Sequence, residues 1–413
     1  MPGDEPGLPR ARLPRCARVS GTASGLVLID KARGWTSHDA VARTRRLAGT
    51  RKVGHAGTLD PMATGLLILG INSSTRLLTW VVGLDKEYFA TIRLGASTTS
   101  DDAEGEQLDR AAPASVASIT PDAITAGIIA LTGDISQRPS AVSAIKVDGK
   151  RAYARVRAGE DVQLAARPVT VSEFELIDSV ESDGFLDLRV RVVCSSGTYI
   201  RALARDLGDA LGVGGHLTAL RRTRIGPFGI DAAQGLETLD VAAALIGPAK
   251  AASLLFPRLE LTTEQAVDLG HGKRIDVDAA KVTFPVETAR SAGNSRPEVP
   301  RSEHVEASAA ATGPGAVTGP VAAIAPDGRL VGLVEFRGAQ AKTLVNFPAD
   351  EAQDQRAQQP KAQDQKGQDQ RAEDQKGQDQ RAEDQRGQDP KPQDPKPNAQ
   401  SAGKPVANED GTA

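Results

Sequence analysis

Gly54, Gly57 and Gly65 fall within one twelve-residue stretch, and the run Leu66-Leu67-Ile68-Leu69 follows at once. Glycine tolerates backbone angles closed to other residues, whereas four consecutive large aliphatic side chains read as a strand buried on both faces. The segment is therefore a shaped loop anchored to a core. Inside it, Gly54-His55-Ala56-Gly57-Thr58-Leu59-Asp60-Pro61-Met62-Ala63-Thr64-Gly65 sets one carboxylate, Asp60, near a histidine. On local grounds alone, Asp60 followed by Pro61 reads as a helix start, with Asp60 as N-cap and Pro61 as the first helical residue.

The 413-residue chain is long enough for two domains plus tails, and 39% hydrophobic residues predict a soluble globular body. No run approaches the roughly 18 apolar residues that span a bilayer. Asp4 and Glu5 precede Arg10, Arg12 and Arg15 with no apolar core of a secretory signal, so a cytoplasmic location is expected. Cys16 and Cys194 are too few for a disulfide framework or a thiolate metal site. A net charge of −3 argues at first against a nucleic-acid partner. The basic residues nevertheless bunch, at Arg43, Arg45, Arg46, Arg51 and Lys52, at Lys146, Lys150, Arg151, Arg155 and Arg157, and at Arg221, Arg222 and Arg224. Together these clusters predict one phosphate-binding face.

Along the chain, residues 1–23 read as a flexible arm rich in Pro, Gly and Arg. Gly25 to Lys31 is a short apolar strand, after which Ser37 is the expected cap of a helix. A helix is predicted over 72–80, and the alternation from Lys86 to Gly95 predicts a strand that carries Tyr88 near its start. Residues 111–132 read as helical, with Thr120 capping before Pro121. Residues 135–160 form a basic exposed loop leading into a helix. Two strands flank the turn Ser182-Asp183-Gly184, and a glycine hinge at Gly197 then leads into a helix bearing Arg201. An arginine at a helix start is disfavoured by the helix dipole, so Arg201 needs an anionic partner, and Asp60 is the candidate. Residues 257–350 read as a small β-rich unit interrupted by an Ala-, Gly-, Pro- and Ser-rich disordered insertion over 283–319. From Asp354 onward Asp returns at 364, 369, 374, 379, 384, 389 and 394, a five-residue period that suits neither helix nor strand. Residues 351–413 are thus expected to be a disordered low-complexity tail.

Several of these stretches resemble the TruB family of tRNA pseudouridine synthases. The Gly54 to Gly65 loop is similar to the family's catalytic-aspartate motif, Leu28-x-Asp30-Lys31 with Gly34 to the opening of its catalytic domain, and Cys194-Ser195-Ser196-Gly197-Thr198-Tyr199-Ile200-Arg201 to a third motif. The resemblance implies an α+β fold: residues 24–256 as a catalytic domain with a central mixed, mainly antiparallel sheet flanked by helices, and a PUA-like domain after it. It implies that Asp60 is the essential carboxylate, that Arg201 pairs with it, and that Tyr88 stacks on a flipped uracil. It implies that His55 helps extract the nucleotide, and that Lys31, Asp102, Tyr199 and Leu220 lie at the substrate. Residues 135–160 resemble the family's RNA-gripping thumb. Two positions depart from the pattern: Thr99 stands where an aspartate is usual, and Ser196 where some members carry lysine, which removes that lysine's backbone contact. His216 is expected to be structural, and Cys194 a buried hydrophobe. The implied substrate is uridine-55 in the T-arm loop of tRNA, handled by a monomer with no cofactor, metal or membrane attachment. A guide-RNA-dependent synthase of the dyskerin class shares the aspartate motif but lacks so long a thumb. A non-catalytic RNA chaperone would be expected to lose Asp60, Tyr88 or Arg201.

Overall fold

In the computed structural model, which describes residues 22–140, 146–147, 150–151, 164–284 and 318–348, the chain opens with β1 (Gly25–Lys31), α1 (Ser37–Leu47), β2 (Val53–Ala56), β3 (Thr64–Ile71) and β4 (Lys86–Leu94). It continues through β5 (Gly133–Gln137), β6 (Arg167–Ser182), β7 (Phe185–Cys194), α2 (Ile200–Ala210), β8 (Gly215–Ile225) and β9 (Gln234–Gly235). These strands form one sheet in the order β9-β1-β3-β8-β4-β7-β6-β5, with β2 paired to β3. Only the β1–β9 and β3–β8 pairings on this path are parallel, so the sheet is mixed and mainly antiparallel, as expected.

The Leu66 to Leu69 run is buried on both faces because β3 separates two cores. Leu67 and Leu69 join Val27, Ile29, Tyr88 and Leu203 on one side, while Leu66 and Ile68 join Leu26, Leu28, Phe256 and Leu333 on the other. A period-two strand between two apolar layers reads as a continuous apolar run. The second core also fastens a smaller six-stranded sheet. Its strands β10 (Arg258–Glu260), β11 (Ile275–Asp276), β12 (Val282–Thr283), β13 (Val321–Ile324), β14 (Leu330–Arg337) and β15 (Gln340–Asn346) run in the order β11-β15-β14-β13-β10-β12.

Three local expectations change. Ser37 does not cap α1: Thr36 does, because Asp39 returns the hydrogen bond in a reciprocal capping box. The Ser37 hydroxyl is used instead on the loop, where its Oγ accepts Leu59 N–H at 2.9 Å and donates to Leu59 O at 3.2 Å. Residues 72–80 begin as a 3-10 helix, Asn72–Leu77, before the α-helix Leu78–Gly83. Finally, Asp60 caps no helix, since Pro61 and Met62 form a turn and β3 follows at Thr64.

The single phosphate-binding face also breaks up. Arg222 is 1% exposed, and Arg221 and Arg224 are paired with Asp30 and Asp85, so the third cluster is spent on the protein itself. Of the second cluster, Lys146 and Lys150-Arg151 lie on a short two-stranded ladder, while Arg155 and Arg157 lie outside the described residues. Arg45, Arg46, Arg51 and Lys52 of the first cluster are exposed. The expected arm up to residue 21, most of the thumb, 285–317 and the repeat tail fall outside the described residues as well.

Candidate active site

Strand register lines up the floor of the site. Lys31 pairs with Gly65 across β1–β3, Gly65 with Arg222 across β3–β8, Arg222 with Tyr88 across β8–β4, and Tyr88 with Val192 across β4–β7. One row across five strands therefore carries two cations and a phenol beneath the loop at 57–63. Lys31, which a strand end would ordinarily leave on the surface, is 0% exposed. Its Nζ donates to the carbonyls of Ala32 at 3.1 Å, Trp35 at 2.8 Å and Pro61 at 3.4 Å. Arg222 donates through Nε to Leu66 O at 2.8 Å and through Nη2 to Gly57 O at 3.1 Å. The two cations thus grip the backbone on both sides of Asp60. Ser37 grips it again at Leu59.

Asp60 itself stays 38% exposed at its side chain, while Arg201, on the first turn of α2, is 5% exposed. Arg201 Nη2 lies 3.0 Å from Asp60 Oδ2, and Nη1 lies 3.3 Å from Asp102 Oδ2 and donates to Ser100 O at 2.9 Å. One guanidinium therefore ties the loop carboxylate to a second, buried one. Asp102 is fixed in turn, since its Oδ1 accepts Ser100 Oγ–H at 2.6 Å and Glu104 N–H at 3.0 Å. Thr99, at the departure from the family pattern, accepts Glu106 N–H on its hydroxyl and closes that loop.

Tyr88 is 7% exposed beside Arg222, and burial raises its pKa, so the phenol keeps its proton at neutral pH. Leu220, 8% exposed, shares the inner face of β8 with Arg222 and pairs with Ala90. His55 meets His38 edge to face, with ring centroids 5.7 Å apart and planes at 79°. Burial, with His38 and Arg222 adding to it, lowers the His55 pKa, so its ring is neutral at pH 7. Tyr199, one residue ahead of α2, donates its N–H to Gln137 Oε1 at 2.8 Å and accepts Gln137 Nε2–H at 3.1 Å. His216 lies elsewhere, with Nδ1 2.9 Å from Ala96 O, and Cys194 is 1% exposed with its pKa pushed up to about 11 by burial. Ser196 is not idle: its hydroxyl donates to Val82 O at 2.7 Å, a carbonyl that also receives Lys86 Nζ at 2.9 Å.

Lys31 and Lys86 are each brought down to a pKa of about 8, first by burial; Asp60 opposes the shift at Lys31, and Arg222 reinforces it at both. Between pH 8 and 10.5 the unfolded chain holds a proton on residue 31 that the native chain has released, so raising the pH through that window favours the native state. A Lys31→Met variant lacks this gain. The wild-type melting temperature minus that of the variant should therefore increase from pH 8 to pH 10, as read by thermal denaturation. A flat or falling difference would show that the lysine is not desolvated.

The sequence-predicted Asp60, Arg201, Asp102, Tyr88 and Lys31 thus converge. Arg222, Lys86, Ser37 and Gln137 support the same loop and hinge without having been singled out as site residues. Residues 45–200 match the TruB family pseudouridylate synthase (N terminal domain), 201–263 the tRNA pseudouridylate synthase B C-terminal domain, and 305–348 the tRNA Pseudouridine synthase II, C terminal. A Leifsonia xyli subsp. xyli protein named tRNA pseudouridine synthase B is 62% identical over 328 residues, covering 79% of this chain and 98% of its own. Its Arthrobacter sp. (strain FB24) namesake is 52% identical over 331 residues, with the same coverage. Among solved structures, a Cbf5-Nop10-Gar1 complex chain superposes with a TM-score of 0.53 at 23% identity, covering 79% of this chain and 86% of that one. At that identity the likeness establishes the fold alone.

Proposed function

The chain belongs to the TruB family and is a tRNA pseudouridine synthase, and we propose that its target is uridine-55 in the T-arm loop, isomerised at Asp60. The observation that carries the site is the half-exposed carboxylate held 3.0 Å from a buried arginine. Isomerisation breaks the bond from N1 to C1′, turns the uracil, and joins C5 to C1′. The proton lost from C5 is matched by one gained at N1, so no electrons are exchanged. Asp60 acts at the sugar, by attack on C1′ or by taking the C2′ proton, and both routes need a carboxylate oxygen that substrate can reach. Arg201 aims that oxygen, with Asp102 steadying the guanidinium from behind.

Tyr88 offers a protonated ring beside the loop on which a flipped base can stack, and Leu220 extends the apolar wall. His55, neutral and packed on His38, suits a wedge at the displaced nucleotide better than a proton carrier. A hairpin loop lowers the cost of flipping because its bases are already partly unstacked. Lys31, being fully enclosed, serves by holding Pro61 rather than by touching RNA. The buried cations beneath the loop leave the site with excess positive charge, which suits a polyanionic substrate.

Incubating the purified chain with unmodified tRNA should place pseudouridine at position 55 and nowhere else, as read by carbodiimide-dependent primer extension. A tRNA with cytidine at 55 should stay unmodified. Modification at another position, or free uracil in the chromatogram, would overturn the assignment.

A further inference from the structure

We propose that Gln137 is a positioning residue for the isomerisation, clamping the Tyr199 hinge so that Arg201 meets Asp60. Gln137 ends β5, the last strand at one edge of the main sheet, yet it is 2% exposed. Its side-chain amide makes two opposed hydrogen bonds to the backbone of one residue, accepting Tyr199 N–H at 2.8 Å and donating to Tyr199 O at 3.1 Å. A pair of that kind fixes both the position and the plane of the peptide units it meets, as a sheet ladder does. The clamped residue is the N-cap of α2, and its carbonyl also takes Leu203 N–H at 3.2 Å, so the clamp sits on the first helical turn.

The hinge has reason to need it. Gly197 lies at φ +90° with nothing within 4 Å of where a Cβ would stand, so packing against a side chain at residue 197 does not set the approach to the helix. Two residues beyond Tyr199, Arg201 must reach Asp60 at 3.0 Å and Asp102 at 3.3 Å together. One turn further on, Arg205 Nη2 donates to Arg138 O at 2.8 Å, and Nη1 lies 3.0 Å from Asp101 Oδ2. Residues 137 and 138 therefore brace α2 at two points, one on each side of Arg201. A displacement of roughly 1 Å in a catalytic constellation can cost about 100-fold in rate. The clamp opposes a shift on that scale.

The proposal rests on the Asp60–Arg201 reading, and its test is arranged so that the two can fail separately. Gln137→Met keeps the side-chain volume without the amide, while Gln137→Asn keeps the neutral amide but ends it one methylene short of Tyr199. Both are made in the full chain and assayed for single-turnover pseudouridine formation in a T-arm hairpin. Hairpin affinity is read in an Asp60→Asn background, and melting temperature alongside. The rate should fall by about 10- to 100-fold in Gln137→Met and by less in Gln137→Asn, with affinity within about threefold of the parent.

In an Arg201→Lys background the same Gln137→Met change should cost less than about threefold, because the residue it positions is already gone. A lower melting temperature with an unchanged rate would reduce Gln137 to a packing residue and overturn the proposal. An equal rate loss in both backgrounds would overturn it too. Should Gln137→Met fail to fold, Gln137→Asn decides by the same criteria. If Asp60→Ala keeps wild-type turnover, the site reading itself falls. If only the Gln137 results disagree, the clamp alone falls.

Discussion

Asp60→Ala is expected to abolish pseudouridine formation, a loss of about 10,000-fold or more, with hairpin affinity within about threefold of wild type. In the proposed reaction the chemistry passes through this one carboxylate, whereas RNA binding would be spread over a surface. The variant should also fold, for a reason visible in the geometry. Removing Asp60 would strand a buried arginine if that were its only partner, and stranding a buried charge costs about 3–5 kcal/mol. Arg201 keeps Asp102 at 3.3 Å and the Ser100 carbonyl at 2.9 Å, so its charge remains answered. Asp60, 38% exposed, is the more solvated member of the triad, and losing it should cost no more than about 1 kcal/mol. Single-turnover assay, hairpin binding and denaturant titration check the three parts. Turnover near wild type would remove Asp60 from the chemistry, and a collapse in stability would show that the triad is structural.

What could be read in the sequence was local. The loop at 54–65 packs its glycines, histidine and aspartate into one contiguous stretch, and the helix-start arginine at 201 announces a missing anion through the dipole alone. Burial is another matter, because it depends on which strands become neighbours. Arg221, Arg222 and Arg224 look alike in a row, and they separate only once β8 is seen between β3 and β4. A signal did exist: strand alternation puts residue 222 on the same face as Leu220, which the family resemblance sets at the substrate. Lys31 was hidden for the same reason, since a lysine at a strand end is exposed unless another loop covers it, and here Pro61 does. Gln137 carries no local signal at all. Its partner lies 62 residues away, and the contact is to backbone, which any residue but proline at 199 would offer. The cap at Thr36 is legible in the sequence too, because Thr36-x-x-Asp39 is a capping pattern.

Gly65→Ala should be the most destabilising single methyl that can be added to the site. Gly65 sits at φ +99°, and a Cβ there would fall 2.2 Å from Arg222 O and 2.9 Å from Arg222 N. Those atoms cannot step aside, because β8 is held between β3 and β4 and residue 222 pairs with both. The left-handed backbone alone costs about 1–2 kcal/mol for an L-residue, and overpacking against fixed backbone adds about 1–3 kcal/mol. A loss of about 2–5 kcal/mol follows, a large part of the roughly 5–15 kcal/mol that keeps a domain folded. Gly34→Ala separates the two causes, since Gly34 has φ +85° with nothing within 4 Å of the added carbon. It should lose only the conformational part, about 1–2 kcal/mol. Denaturant midpoints at unchanged m-value measure both. Whatever Gly65→Ala protein folds should also turn over slowly, because a shifted residue 222 releases the Gly57 and Leu66 carbonyls that hold the two shoulders of the Asp60 loop. Equal losses in the two variants would mean that β8 yields to the new methyl, and that the close approach of β3 and β8 is not what shapes the loop.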